Sequence, residues 1–537
     1  QAAHADGEAF FDLQFPPYTY APDQRREGAW VKRRYQVLRD QIYSRWVGLI
    51  DVGEQDFYVL DIHRARGGNE HWWSFHGPCG EAVVDGLDNL EAWPDGSPAG
   101  KEIGYGETDK ANGDDASRHS LTYLYDCRRS EVTRPWKATW RLSGNSNLEL
   151  RMRQLAADGE VILGRGKPPI SSMENPPYEL TWTLAHRRGS APLSSQFVST
   201  IEASEAGGEI LKRVERVPAR GTGAFEPVAV RATTAEWTDL VVNTAQGGPV
   251  TPESDDWSFE GQYGFARSGK SGVEQVSLTG GRRFVARDVG VVETTGTLTA
   301  EVLGGDFDKR QVVLAGITER PEALVGHHVR FDSENRSSTY RVLAASAAAE
   351  GVCLSLDVDL RIGAGTADGF EQGAIISHTH FPLAGFRYYQ GARLQAAGGS
   401  SFVVDHIESE VVAQTDSGFQ PRSWIVLESG DGREVDPQRL SKACGQGGSF
   451  VIYDVGAGDR ATFTLTSYVR RVDVATWEGY IGPKTVLALG KVPSGTAQVV
   501  RGDRRWDLPV REVESGLSTV DLGGAGIGMG QVEISLC

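Results

Sequence analysis

Asp61, His63 and His76, with Arg64 and His71 beside them, are the residues of this chain whose types and spacing best suit chemistry. They lie between Asp56 and Gly77, where two runs rich in aromatic and β-branched residues flank Gly67-Gly68. A glycine pair between such runs predicts a β-hairpin. With a two-residue loop, Arg66 pairs with Asn69, which sets Asp61 opposite Ser74, His63 opposite Trp72 and Val59 opposite His76. Side chains alternate across a strand, so Asp61, His63, Trp72, Ser74 and His76 then share one face. Tyr58, Leu60, Ile62, Trp73 and Phe75 share the other, and His71 stands opposite Arg64. One carboxylate and two imidazoles on a single face can ligate a metal, with Asp61, His63 and His76 as the candidate ligands, or move a proton. A three-residue loop with a bulge would shift the register and scatter the set. The competing reading is structural, because aspartates and histidines inside strands are as a rule hydrogen-bonded to their neighbours.

Other constellations point less clearly to chemistry. His378-Thr379-His380 in a strand would put two imidazoles on one face, but no carboxylate stands near in sequence. His327-His328 sends its rings to opposite faces and reads as structural, and Asp405-His406 has no partner at interpretable spacing. The glycine-rich run from Gly523 to Gly528 lacks the strand–loop–helix setting of a phosphate loop. Neither a Gly-x-Ser-x-Gly elbow nor a His-Glu-x-x-His helix occurs.

The elements that must position these residues read as strands. Short apolar runs recur between Gly, Asp, Asn and Pro, the mark of an all-β protein. A chain of 537 residues has ample length for several cores. Residues 1–250 read as a large antiparallel, supersandwich-like β-sandwich. It holds strands at Trp136 to Leu142, Leu148 to Leu155, Tyr178 to Leu184, Ser195 to Glu202 and Phe225 to Ala232. Residues 251–375 read as a small sandwich or barrel, with strands at Arg283 to Ala286, Gly296 to Leu303, Gln311 to Ala315, Thr339 to Ala344 and Val352 to Leu356. Residues 376–537 read as a further β-sandwich, including Phe402 to His406, Ser423 to Leu427, Ser449 to Tyr453, Thr462 to Tyr468 and Thr496 to Val500. One short helix is expected, around Asp436 to Ala443.

Composition narrows the partners. The formal net charge of −17 argues against non-specific nucleic-acid binding. One basic run, Arg25, Arg26, Lys32, Arg33, Arg34, Arg39 and Arg45, precedes the hairpin, but interspersed acids give it the look of a mixed solvated surface. The five cysteines show no zinc-ligand spacing and no disulfide framework. No apolar stretch reaches membrane-spanning length. The chain opens on Gln1 without Met, which reads as a processed or truncated start.

Several segments resemble the C-terminal β-sandwich half of the heparinase II/III superfamily of polysaccharide lyases. They are Tyr43 to Asp51, Phe57 to Arg64, Gly67-Gly68, His71 to Gly77 and, at a later strand, Ser195 to Glu202. The resemblance covers about the first 250 residues. It implies a secreted or periplasmic protein acting on uronate-containing, acidic polysaccharide by β-elimination. In such a reaction a base removes the proton alpha to the carboxyl, an acid protonates the departing oxygen, and cationic groups steady the enolate. Family members carry an α/α toroid ahead of the sandwich, which gives the catalytic Tyr and one His. Neither the toroid nor the family's His-Asn dipeptide occurs here, so the helical half is expected to be missing from this chain. The resemblance makes His71, His76 and Arg64 the candidates for catalytic or carboxylate-neutralising roles. It also implies a structural metal ion, zinc or calcium, held by His and Asp ligands such as Asp61 and His76. The alternative is a non-catalytic carbohydrate-binding or structural β-protein whose Trp72, Trp73 or Trp93 stack on sugars. A sandwich-built glycoside hydrolase would need two carboxylates flanking one bond, and spacing identifies no such pair.

Overall fold

Burial alternates residue by residue along Trp136–Leu142 and Thr476–Ile481, as half-buried strands require. Among the described residues about 60% are in strands and 5% in helices. The computed structural model describes all residues except 1, 6–7, 16–17, 21–34, 38–40, 81, 94–96, 101–102, 108–115, 143–144, 157, 168–178, 254–255, 372, 385–386, 416–417, 429–434, 492–494 and 514–515. Within 2–37 it describes only the strand backbone. Arg25, Arg26, Lys32, Arg33, Arg34 and Arg39 of the basic run therefore lie outside the described residues.

The first sandwich faces an eight-stranded sheet against a five-stranded one. In the larger sheet Ile42–Asp51, Phe57–Arg66 and Ser194–Glu205 are neighbours; in the smaller, Glu70–Cys79 pairs with Leu180–Arg188. Trp73, Trp136, Trp140, Met152, Val161 and Phe197 fill the space between them. The outer face of the larger sheet is also buried. Trp46, Tyr58, Leu60, Ile62 and Val198 pack there on Val228, Val230, Val241, Tyr263 and Phe265 of a second sandwich.

That second sandwich joins a ten-stranded and an eight-stranded sheet, each built from strands before residue 294 and after residue 465. Between them comes a closed six-stranded barrel, itself interrupted by a seven-stranded sheet spanning Arg361–Thr366 to Ser449–Tyr453. Domains 251–375 and 376–537 are therefore not consecutive units, and 250 is not a boundary between sheets. The insertions are nested because their ends meet. Thr297–Gly304 pairs with Arg460–Thr464, and Arg361–Thr366 pairs with Ser449–Tyr453. A host sheet tolerates an insertion whose termini lie side by side. The expected strand from Thr462 to Tyr468 is accordingly two, Arg460–Thr464 in the barrel and Thr466–Arg471 in the second sandwich.

Individual elements match the expectations closely. Arg283–Ala286, Gln311–Ala315 and Ser449–Tyr453 form where the pattern places them. The helix is Pro437–Cys444, N-capped by Asp436, whose carboxylate accepts from the Gln438 amide. The glycine-rich run is a tight turn that anchors two cores: Ile527 is buried in the second sandwich and Met529 in the barrel. All five cysteines are free. Among the described residues no helix is long and apolar enough to cross a membrane.

Candidate functional site

Phe57–Arg66 and Glu70–Cys79 do not form a hairpin. Both edges of Phe57–Arg66 are taken, by Ile42–Asp51 and by Ser194–Glu205. The chain instead crosses through Gly67, Gly68 and Asn69 to the facing sheet, where Glu70–Cys79 pairs with Leu180–Arg188. Both glycines have positive φ, +126° and +55°, which lets the backbone make this arch. A second arch, residues 189–193, runs beside it between the same sheets. The two are tied by Gly67 N to Leu193 O at 2.9 Å, Leu193 N to Gly68 O at 2.9 Å and Gly189 N to Asn69 O at 3.0 Å.

The arch separates the five residues expected on one face. Asp61 and His63 point into the sandwich from the larger sheet. Trp72, Ser74 and His76 alternate with the core residue Trp73 and lie on the outer face of the smaller sheet. Asp61, 1% exposed, accepts Arg45 Nε at 3.0 Å and Nη2 at 2.8 Å. Burial raises its carboxyl above the ordinary value, and the Arg45 hydrogen bonds and charge, with the Trp73 indole, work against that. His63 is 5% exposed, edge-on to Tyr43 at 4.7 Å, and has no hydrogen-bond partner among the described residues. Desolvation, then the charges of Arg45 and His71, pull its pKa down to about 4. His63 is therefore neutral at physiological pH, the form that ligates metals.

Asp61, His63 and His76 nevertheless do not fit a single ion. Asp61 already holds a guanidinium on both oxygens, and His76 stands on the far side of the opposing sheet. Among the described residues no group of three His, Cys, Asp or Glu is arranged for a metal. Arg64 is likewise not at a cleft. It is 3% exposed, points at the second sandwich and donates to Asn243 Oδ1 at 2.7 Å.

The fold brings together pairs that spacing does not reveal. His71 Nε2 donates to the Gly67 carbonyl at 2.7 Å, which leaves Nδ1 to accept the Ser195 hydroxyl at 2.8 Å. This is the order of a base and its hydroxyl, but Ser195 is 1% exposed, so the pair fastens one arch to the other. Desolvation lowers the His71 pKa, against the Gly67 carbonyl. On the outer face His186 lies between Glu70 at 2.8 Å and Glu160 at 3.2 Å, stacked under Trp72 with centroids 3.8 Å apart. These residues sit on three different strands, and nothing short of the pairing of those strands would have grouped them. His76 is exposed beside Trp182, at 4.5 Å. Trp93 carries the Arg129 guanidinium 5.3 Å above its ring. On the outer face of the smaller sheet Trp72, Trp93 and Trp182 form a half-buried aromatic platform packed on Leu124, Cys127, Ile162 and Leu184, with His76 open to solvent, whereas Trp73 belongs to the core between the sheets.

Two of the other histidines are engaged where they stand. His378 follows the end of Ala374–Ser377 and meets Asp368 at 3.1 Å. His406 sits between Asp405 at 2.8 Å and Glu408 at 3.0 Å, partners from its own strand. Neither a family model nor a curated protein matches this chain.

Proposed function

We propose that this chain is the β-sandwich part of a heparinase II/III-like polysaccharide lyase, acting on uronate-containing polysaccharide by β-elimination. One observation carries the reading. The scattered segments that bear the resemblance fall on Ile42–Asp51, Phe57–Arg66 and Ser194–Glu205, three adjacent strands, and on the arch to Glu70–Cys79. They make one contiguous unit around one core rather than a set of unrelated matches. The described residues hold a single α-helix, so the base and acid of the elimination would come from a helical domain. This chain would give that domain a cleft wall, with His76 and the Trp72–Trp182 platform as the groups able to meet a sugar chain. A secreted or periplasmic location goes with such a substrate.

The second reading is a non-catalytic glycan-binding protein. It is favoured by the commitment of Asp61, Arg64 and His71 to internal partners. Ultraviolet absorbance from unsaturated uronate ends tests between the two. The lyase reading expects none from this chain with acidic glycans, and strong signal once the chain is joined to a helical domain of the family. Glycan binding without cleavage in either case would replace it with the second reading.

A further inference from the structure

A cavity of about 510 Å³ opens where the barrel meets the second sandwich, far in sequence from the arches. Glu319 and Arg320 of the barrel line one side. The turn between Thr496–Arg501 and Arg504–Pro509 lines the other with Arg501, Asp503, Arg504 and Trp506. Three arginines and two carboxylates, Glu319 and Asp503, thus line one cavity in a protein whose formal net charge is −17. Elsewhere arginines sit against carboxylates, as Arg153 does on Glu202 and Arg267 on Asp239. Arg320 and Arg504 are exposed and have no such partner among the described residues. Arg501 is held in place: its Nη1 donates to the Gly528 carbonyl at 2.9 Å. Gly530, at φ +148°, leaves clear a position where a Cβ would lie 2.9 Å from that guanidinium. The glycine-rich run that fits no phosphate loop therefore seats an arginine.

We infer that this cavity binds the carboxylated sugars of an acidic oligosaccharide. The inference rests on the uronate reading above and adds a site to it, away from the first sandwich. A planar guanidinium matches a carboxylate with two parallel hydrogen bonds. The half-buried Trp506 offers a ring face for the apolar side of a sugar. Glu319 and Asp503 accept hydrogen bonds from hydroxyls. They also oppose the denser charge of polyphosphates, which favours one carboxylate per sugar over a nucleotide or nucleic acid.

The test is calorimetric titration of the full chain with a uronate tetrasaccharide and with a neutral one of equal length. The uronate is expected to bind and the neutral sugar not. Arg320→Ala and Arg504→Ala, one on each structural unit and both at exposed positions, are each expected to weaken binding roughly tenfold. Unchanged thermal unfolding shows that the variants fold. Wild-type affinity in both variants, no uronate binding by the wild type, or full displacement by inorganic pyrophosphate would overturn the inference. Binding that persists, and is lost in the variants, while the joined protein fails to cleave uronate polymers keeps this site and removes the lyase reading alone.

Discussion

Two pairs of consecutive strands, each joined by a short turn with glycine at its edges, fold differently. Tyr263–Gly269 and Gly272–Thr279 flank a two-residue turn and pair as a hairpin, Gly269 opposite Gly272. Phe57–Arg66 and Glu70–Cys79 flank Gly67 to Asn69 and pair with other strands altogether. What separates them is the demand for burial. Phe57–Arg66 presents Asp61 and His63 to one core and Tyr58, Leu60 and Ile62 to another, so its partner must come over one face. Each stretch also contains one end of a buried Arg–Asp pair, and the two pairs differ in their access to water.

Arg267 holds Asp239 through Nε at 2.7 Å and Nη2 at 2.8 Å, with side chains 13% and 0% exposed. Arg45 and Asp61 make the same geometry, but the Arg45 side chain is 46% exposed. Removing the arginine strands the carboxylate in each case. Arg267→Ala is expected to cost about 4 kcal/mol, the scale for a broken buried pair. Arg45→Ala should cost about 2 kcal/mol, because water reaches the vacated site. Urea unfolding of the two variants measures the difference, and equal losses would mean that burial does not distinguish the regions.

The pH response should distinguish them next. The folded pKa of His63, about 4, lies below its unfolded value of 6.5, so the unfolded chain binds the proton first as pH falls. The stability that goes with a neutral His63 is complete above pH ~6.5 and lost between there and pH ~4, about 3 kcal/mol in all. Asp61 and Asp239, whose carboxyls burial raises, act in the opposite sense over the acidic part of that window. The difference between wild type and His63→Phe isolates the histidine. A variant whose stability falls as steeply as the wild type's across this range would assign the acid sensitivity elsewhere.

How much of this the sequence disclosed follows from the range of the interactions. Strand positions and the Asp436 cap depend on neighbours a few residues apart, and Trp136–Leu142 and Ser449–Tyr453 form at the expected residues. Sheet partners depend on residues far apart, and there the reading of alternation was insufficient. Period-two alternation assigns Asp61 and Trp73 to opposite faces of one ribbon, and the same alternation holds when they face each other across a core. The nested insertions were hidden for the same reason, since Thr297–Gly304 finds its partner only at Arg460–Thr464. The pairs His71–Ser195 and His186–Glu70 exist only because arches and sheets bring distant strands together.

The turns themselves offer a third contrast. Alanine at Gly67 must take φ +126°, and its Cβ would lie 2.6 Å from the Gln41 side chain. Alanine at Gly272 must take φ +107°, with nothing within 4 Å. Backbone strain alone costs of order 1 kcal/mol at Gly272, and strain plus displacement of Gln41 about 2 kcal/mol at Gly67. Thermal unfolding of the two variants ranks them, and the opposite order would argue against the arch as the more constrained turn.

The smallest effect concerns a single hydroxyl in each region. Ser195→Ala removes the donor to His71 Nδ1, and Thr279→Val removes the partner of Thr466, whose hydroxyl lies 2.8 Å from that of Thr279. An unmet polar atom costs about 1 kcal/mol when it cannot turn elsewhere. The His71 ring cannot turn, because Nε2 is fixed on the Gly67 carbonyl at 2.7 Å. The Thr466 hydroxyl, by contrast, can turn about its C–O bond. Ser195→Ala should therefore be the more costly by a few tenths of a kcal/mol in urea unfolding. It should also speed hydrogen exchange at the Gly67 and Leu193 amides, which the Thr279 variant should leave as slow as in the wild type.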